Sequence, residues 1–388
     1  PFRIEARNQA SFDNVLQALF GRTLGNGAYG PIRFETMGPI LVGASVNNVN
    51  ACGSGAVSGQ WLPGIPVAKA LTTGVIGQLA VSASPASGYR TNLVLVNPGT
   101  STATATVTLR RGGGALLSTA TIGPLSTNGF QQVGLDSLPG VAGVTDTNLW
   151  LEVTSDQPVL AYATIIHNVS GDPFAVVASA EAEASGFLPS SSFRSGTNAA
   201  EYRTDVRILN PSTAAVTVNA SFYDQVPSTT LFSGPFRIEA RNQASFDNIL
   251  QSLFGKTLVD GAYGPIRFEA TGPIRVGASV NNVNACASGA VSGQWLPGIP
   301  VSQALTSGVI GQLAVSSSPA SGYRTNLVFV NPGSSMSTAT VKIRRGGGAL
   351  LSTATIGPLP ANGFRQVGLD TLPGVAGTTD TNLWLEFT

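Results

Sequence analysis

With 388 residues, 43% of them hydrophobic, the chain has the material for several apolar cores, which excludes disorder. Only 11% are Asp, Glu, Lys or Arg, against roughly 25% in ordinary soluble domains, so its surface must rest on hydroxyls and amides. A net charge of +1 supplies neither the basic field of a nucleic-acid binder nor the lysine-rich face of a membrane-surface helix, and the longest apolar runs, such as Val159 to Ile166, are too short to cross a bilayer, so no nucleic acid and no membrane segment is expected.

Pro1 to Thr154 recurs as Pro235 to Thr388 with 129 of 154 positions identical, a period of 234 residues. Such a period marks repeated building units. The residues read as a window on a longer repetitive protein, with any targeting or anchor sequence outside it. A fainter half-repeat lies inside the period: Gly88-Tyr-Arg-Thr-Asn-Leu-Val-Leu-Val-Asn-Pro98 returns as Glu201-Tyr-Arg-Thr-Asp-Val-Arg-Ile-Leu-Asn-Pro211 and as Gly322-Tyr-Arg-Thr-Asn-Leu-Val-Phe-Val-Asn-Pro332. Domains of two types are therefore expected to alternate: a partial one over 1–85, complete ones over 86–187 and 200–315, and a partial one over 320–388. The Ser, Gly and Pro of Gly186 to Thr197 read as a connector.

In chain order, Val15 to Phe20 reads as a short helical turn within an inter-strand loop, and Ile249 to Phe254 repeats it. Trp61-Leu62-Pro63 and Trp295-Leu296-Pro297 read as a recurring element, serving either core packing or a domain junction. Strands are expected at Tyr89 to Val96, Thr104 to Arg110, Ser118 to Ile122, Gly129 to Gly134, Asn148 to Val153 and Val159 to His167. In Thr104 to Arg110, Ala105, Val107 and Leu109 share one face and threonines the other, the pattern of a half-buried strand. Leu149, Leu151 and Val153 are read as core-facing, with Trp150 and Glu152 opposite. Asn97-Pro98, Asn210-Pro211 and Asn331-Pro332 read as strand exits. Arg110-Arg111-Gly-Gly-Gly and Arg344-Arg345-Gly-Gly-Gly read as exposed hairpin turns whose guanidinium pairs could meet an anionic glycan or a neighbouring domain. Six or seven short strands in about 110 residues define an all-β chain of tandem antiparallel β-sandwich domains, Ig-like in the broad sense.

The Tyr-Arg-Thr-Asn/Asp strand ending in Asn-Pro, the Gly-Phe-Gln-Gln-Val segment at 129–133 and the Leu-Glu-Val-Thr-Ser-Asp-Gln-Pro-Val-Leu-Ala-Tyr segment at 151–162 resemble a family of bacterial secreted β-sandwich repeats. Near-identical long repeats also resemble those of surface stalks and extracellular fibres. The resemblance implies an extracellular or cell-surface location and carries over no catalytic residue.

The residues themselves point to no complete catalytic constellation and no cofactor. His167 is the lone histidine and is expected to be capped or solvent-facing beside Asn168. Glu35, Glu152, Glu269 and Glu386 recur in equivalent positions, are too dispersed for a catalytic carboxylate pair, and are expected to balance arginines. Cys52 and Cys286 are equivalent and read as one unpaired thiol per period, with packing and a subunit-to-subunit disulfide both open. Asn168-Val-Ser170 and Asn219-Ala-Ser221 match glycan acceptors. The leading expectation is a non-catalytic structural repeat protein of a filament or stalk that associates with itself or with neighbouring repeats. In it, Trp61, Trp295, Pro63 and Pro297 hold the domain junctions. The second reading is an adhesin or carbohydrate-binding module that uses Trp150 and Trp384 against surface glycans.

Overall fold

The computed structural model describes the chain apart from residues 1, 24, 26, 52–55, 197–199, 226–227, 285–290 and 319–321. Cys52 and Cys286 lie outside the described residues. Two compact units emerge, one from Ala44–Ser302 and one joining Pro1–Gly43 to Gln303–Thr388. Two short helices, α1 (Val15–Phe20) and α2 (Ile249–Ser252), stand at equivalent places in the two copies. Among the described residues, all other regular structure apart from single 3-10 turns is strand.

The central unit begins with a two-stranded sheet of β1 (Gly43–Ala51) and β2 (Ala56–Pro63). Its first lobe is built from β3 (Leu71–Val81), β4 (Tyr89–Val96), β5 (Ala103–Arg111), β6 (Leu116–Leu125), β7 (Phe130–Gly134), β8 (Asp146–His167) and β9 (Asp172–Val177). The 22-residue β8 organises the lobe. Its first half pairs antiparallel with β3 and β5, its second half with β4 and β9, so one strand serves two sheets. Threonines alternate with Ala105, Val107 and Leu109 along β5, and those three side chains join a core fed by strands of both sheets. Burying such alternating faces is the main force holding sheets together.

The second lobe repeats this plan. It comprises β10 (Glu183–Ser195), β11 (Glu201–Asn210), β12 (Val216–Gln225), β13 (Ser228–Phe232), β14 (Phe236–Ile238), β15 (Asn242–Phe246), β16 (Ala262–Asn282), β17 (Ser292–Pro297) and β18 (Ile299–Pro300). Here β16 plays the part of β8, pairing with β10 and β12 at one end and with β11 and β17 at the other. The core centres on Phe222, Ile266 and Phe268, with Ile249 and Leu250 of α2 closing one side.

In the other unit, β19 (Gly308–Val315), β21 (Ser337–Arg345), β22 (Leu350–Leu359) and β24 (Asp380–Phe387) form one sheet, and β20 (Asn326–Val330) with β23 (Phe364–Gly368) another. A core of Val315, Val341, Ile343 and Leu385 from the first sheet and Leu327 from the second joins them. The chain is therefore all-β and multi-domain, with several antiparallel sheets.

Three readings are corrected. Gly186 to Thr197 is no connector, because β10 runs through most of it and places Leu188 and Phe193 in the core; a register shift after Leu188 hides the alternation. The first lobe starts before residue 86, since Ile76, Leu79 and Val81 of β3 are core residues. Trp150 does not face away from Leu149 and Leu151, because all three are buried: β8 is covered on both faces there.

The repeated Tyr-Arg-Thr…Asn-Pro motif is explained by buried brackets. Asn97 donates its side-chain amide to the carbonyls of Ser101, Leu125 and Ser126 at 2.7, 3.0 and 3.2 Å. Asn210 does the same to Ala214, Ile238 and Glu239, and Asn331 to Ser335, Leu359 and Pro360. The motif threonines tie this strand to the preceding one: the Thr91 hydroxyl donates to Ala80 O and accepts from Ala80 N, and Thr204 and Thr325 repeat the exchange with Ser192 and Ala314. Buried carbonyls left without donors are costly, so strand and turn are fixed together.

Candidate docking interface

The glycine triplets do turn. Arg111 N donates to Ala115 O and Gly114 N to Arg111 O, both at 2.9 Å, closing the β5–β6 hairpin. The guanidiniums beside the turn are spent within their own lobe, Arg110 on Glu152 at 3.3 Å and Arg111 on Asp146 at 2.7 Å. What the turn offers outward is backbone, and β15 of the second lobe takes it. Gln243 N donates to Gly112 O at 2.7 Å. Its side-chain amide donates to Asn148 Oδ1 at 2.8 Å and Leu149 O at 3.2 Å, and its Oε1 accepts from Gln78 N at 3.2 Å. Arg241 adds an ion pair with Glu152 at 3.0 Å.

The same latch forms a second time, in the other unit. Gln9 N donates to Gly346 O at 2.7 Å, Gln9 Nε2 donates to Asn382 Oδ1 at 2.5 Å, and Gln312 N donates to Gln9 Oε1 at 3.1 Å. Arg7 approaches Glu386 at 3.9 Å. Each partner is the 234-residue equivalent of its counterpart in the central latch.

The latch carries strained backbone on both of its sides. Gln78, Gln312, Arg241 and Arg7 have φ of 59°, 58°, 55° and 61°, a region that side chains other than Gly, Asn and Asp rarely enter and that costs about 1–3 kcal/mol each. At Gln78 this geometry turns the backbone N–H toward Gln243. The third glycine of each turn, with φ of 82° at Gly114 and 84° at Gly348, leaves no room for a side chain: a Cβ would stand 3.0 Å from the carbonyl oxygen of Arg241 or Arg7.

Around the central latch the two lobes share further polar contacts. Arg275 donates to Val75 O and Ser179 O, both at 2.8 Å, and burial pulls its guanidinium down to about 10. The other copy has Leu41 at this position. The indole N–H of Trp295 donates to Gln78 Oε1, and its ring packs on the core of the first lobe. Ser170 Oγ donates to Val291 O at 2.5 Å, and Gly293 N donates to Asp172 at 2.6 Å.

These groups border a polar cavity of about 220 Å³ between the lobes. Arg207 pairs there with Asp247 at 2.8 Å. Asp205 accepts from Asn248 N and from the Asn281 amide at 2.8 Å each, yet burial pushes its carboxyl up. His167 Nδ1 lies 3.1 Å from Ser170 Oγ and the ring meets Tyr89 edge-on; burial pushes the imidazole down. Because the Ser170 hydroxyl is buried and donates to backbone carbonyls, the pair ties a loop to the neighbouring lobe. Among the described residues, no group of three or more His, Cys, Asp and Glu is placed to hold a metal ion.

The remaining expected site residues fall as follows. Trp61, on β2, is 57% exposed and Pro63 half-buried. Pro297 is exposed at the end of β17, where it faces Gly277 of β16. Trp150 and Trp384 are buried, each donating its indole N–H to the carbonyl of Arg111 or Arg345 and lying under the guanidinium of Arg110 or Arg344. Neither offers an open face for a sugar. Glu35, Glu152, Glu269 and Glu386 each pair with arginine.

Sequence reasoning missed Gln78 and Gln243 altogether. Their one signal is that the Asn-Gln pair at 8–9 and the Gly-Gln pair at 77–78 both return unchanged after 234 residues, at 242–243 and 311–312. No family model matches the chain, and no curated protein matches it.

Proposed function

We propose that the chain is a non-catalytic structural repeat protein of an extracellular filament or cell-surface stalk, built of tandem β-sandwiches of two alternating types. The observation that carries this reading is the double occurrence of the latch: one set of contacts, centred on Gln243 and on Gln9, is made twice at the sequence period. A protein that binds one ligand needs one specialised surface, whereas a fibre needs one contact many times. Trp295, with an indole that reaches from the second lobe to Gln78, is the junction residue of this reading. The scarcity of charge and the abundance of backbone-to-backbone contacts at the turns suit a surface exposed to varying salt, where ion pairs are screened and amide hydrogen bonds are not.

Electron microscopy of the purified chain at rising concentration tests the proposal. Filaments or chains of particles with an axial repeat that corresponds to the two lobes are expected. A single 39.6 kDa species at every concentration would overturn it.

A further inference from the structure

We propose that the Gly346–Gly348 turn and Asn382 form a docking site for residues 7–9 of a second copy of this chain. The inference rests on the self-association reading above and names its contact. In the central unit the docking segment follows its turn in sequence, Gln243 after Gly112; in the other unit it precedes it, Gln9 before Gly346. The atoms that meet are the same in both orders. Nothing in this chemistry depends on how the two partners are joined, so the segment can come from the same chain or from another.

The surface is also of the right kind for repeated addition. It is not self-complementary: a glycine hairpin with a strained glutamine on one side, an Asn-Gln segment with a strained arginine on the other. Such heterologous contacts add copies head to tail instead of closing a two-fold dimer. Within one chain, closure competes, because a tethered partner acts at an effective concentration of the order of millimolar. Association between copies is therefore hidden until closure is blocked or the protein is concentrated.

Complementation exposes it. Gln9→Ala removes the docking amide and leaves the turn; Gly348→Val fills the space against the Arg7 carbonyl and leaves the segment. Each full-length variant alone should sediment as a 39.6 kDa monomer. Mixed, they should give one species of twice that mass and nothing larger, since the Gln243–Gly112 latch of each chain is closed on itself and only one functional segment and one functional turn of the second latch remain. With Gln9→Ala in both partners, association should weaken at least about tenfold, the loss of roughly one hydrogen-bonding side chain.

Circular dichroism and a thermal melt establish that the variants fold. If Gly348→Val does not, Asn382→Ala takes its place, since it removes an acceptor and leaves the backbone unchanged. A mixture that stays monomeric up to millimolar concentration overturns the docking site. If the unmodified chain assembles but neither substitution weakens it, this site falls while the self-association reading stands. If neither the unmodified chain nor the mixture assembles, both fall.

Discussion

Residues 1–43 and 235–277 share 35 of 43 residues and fold differently. The later copy contributes β14, β15 and the first part of β16; the earlier copy has α1 and, among the described residues, no strand until β1 begins at Gly43. What the copies share is local. Arg7 and Arg241 both adopt positive φ, Asn14 and Asn248 do so at 48° and 46°, and a helix starts at the next residue in each. What differs is the strand pairing: in the later copy β14 pairs with β12, β15 with β11, and β16 with both. Ile238 is 3% exposed and Ile4 39%; Phe268 is 1% exposed and Phe34 39%. Turns and caps are written in a few neighbouring residues, whereas a strand exists only against another strand.

The largest effect that tests this contrast is on the aromatic core. Phe268→Ala should cost about 3–5 kcal/mol, because it leaves a cavity in a closed core. Phe34→Ala should stay within about 0.5 kcal/mol, as for an ordinary surface change. Urea denaturation of the full chain measures both; equal losses would mean that the earlier copy is also packed. Next in size is Asn210→Ala, expected to cost about 2–3 kcal/mol by leaving the buried carbonyls of Ala214, Ile238 and Glu239 without their donor. Hydrogen exchange should then show residues 236–246 opening toward the behaviour of residues 2–12. Unchanged protection there would show that β14 and β15 do not depend on the bracket.

This contrast also explains what could be read in advance. The alternation in β5 and in the second half of β8, the glycine hairpins and the helical turn at Val15 are all visible, because each is set by side-chain period or local backbone preference. The role of Gly186 to Ser195 was not, because its glycine, prolines and serines describe a linker while burial of Leu188 and Phe193 makes it a strand. β3 was hidden for a related reason: positive φ at Gln78 and register shifts around it break the period of two. The latch recurs at the 234-residue period. Which atoms make it was not legible, since Gln243 acts through residues 95 and 165 positions away. Trp150, large as it is, is consumed by packing under Arg110.

A smaller effect probes the long-range contact that the two copies share, the latch. Gln243→Ala and Gln9→Ala should each cost about 1–2 kcal/mol, since both remove an amide that bridges an asparagine and a backbone N–H. Similar losses in the two positions, measured as shifts in denaturation midpoint, would show that the latch is an independent module. A loss at Gln243 alone would mean that the latch needs the surrounding lobe.

The smallest effect concerns Asp205, which lies on β11 and caps Asn248 N in the later copy. Its carboxyl is pushed up chiefly by burial, so between the unfolded value of about 3.9 and the higher folded value the native state holds more proton than the unfolded one. Stability from this group therefore rises as pH falls through that window. His167 works in the opposite sense: burial pushes it down, so acidification through about 6.5 favours the unfolded, protonated form. Asp205→Asn removes the first contribution and keeps the second. Relative to the unmodified chain, the variant should fare best at pH 7, where the buried charge is costly, and worse as pH approaches 4, where the native carboxyl is already neutral. Denaturation midpoints at pH 7, 6, 5 and 4 measure the difference. A difference that does not change with pH would mean that Asp205 holds Asn248 as a permanent carboxylate, fully supported by its two amide donors despite its burial.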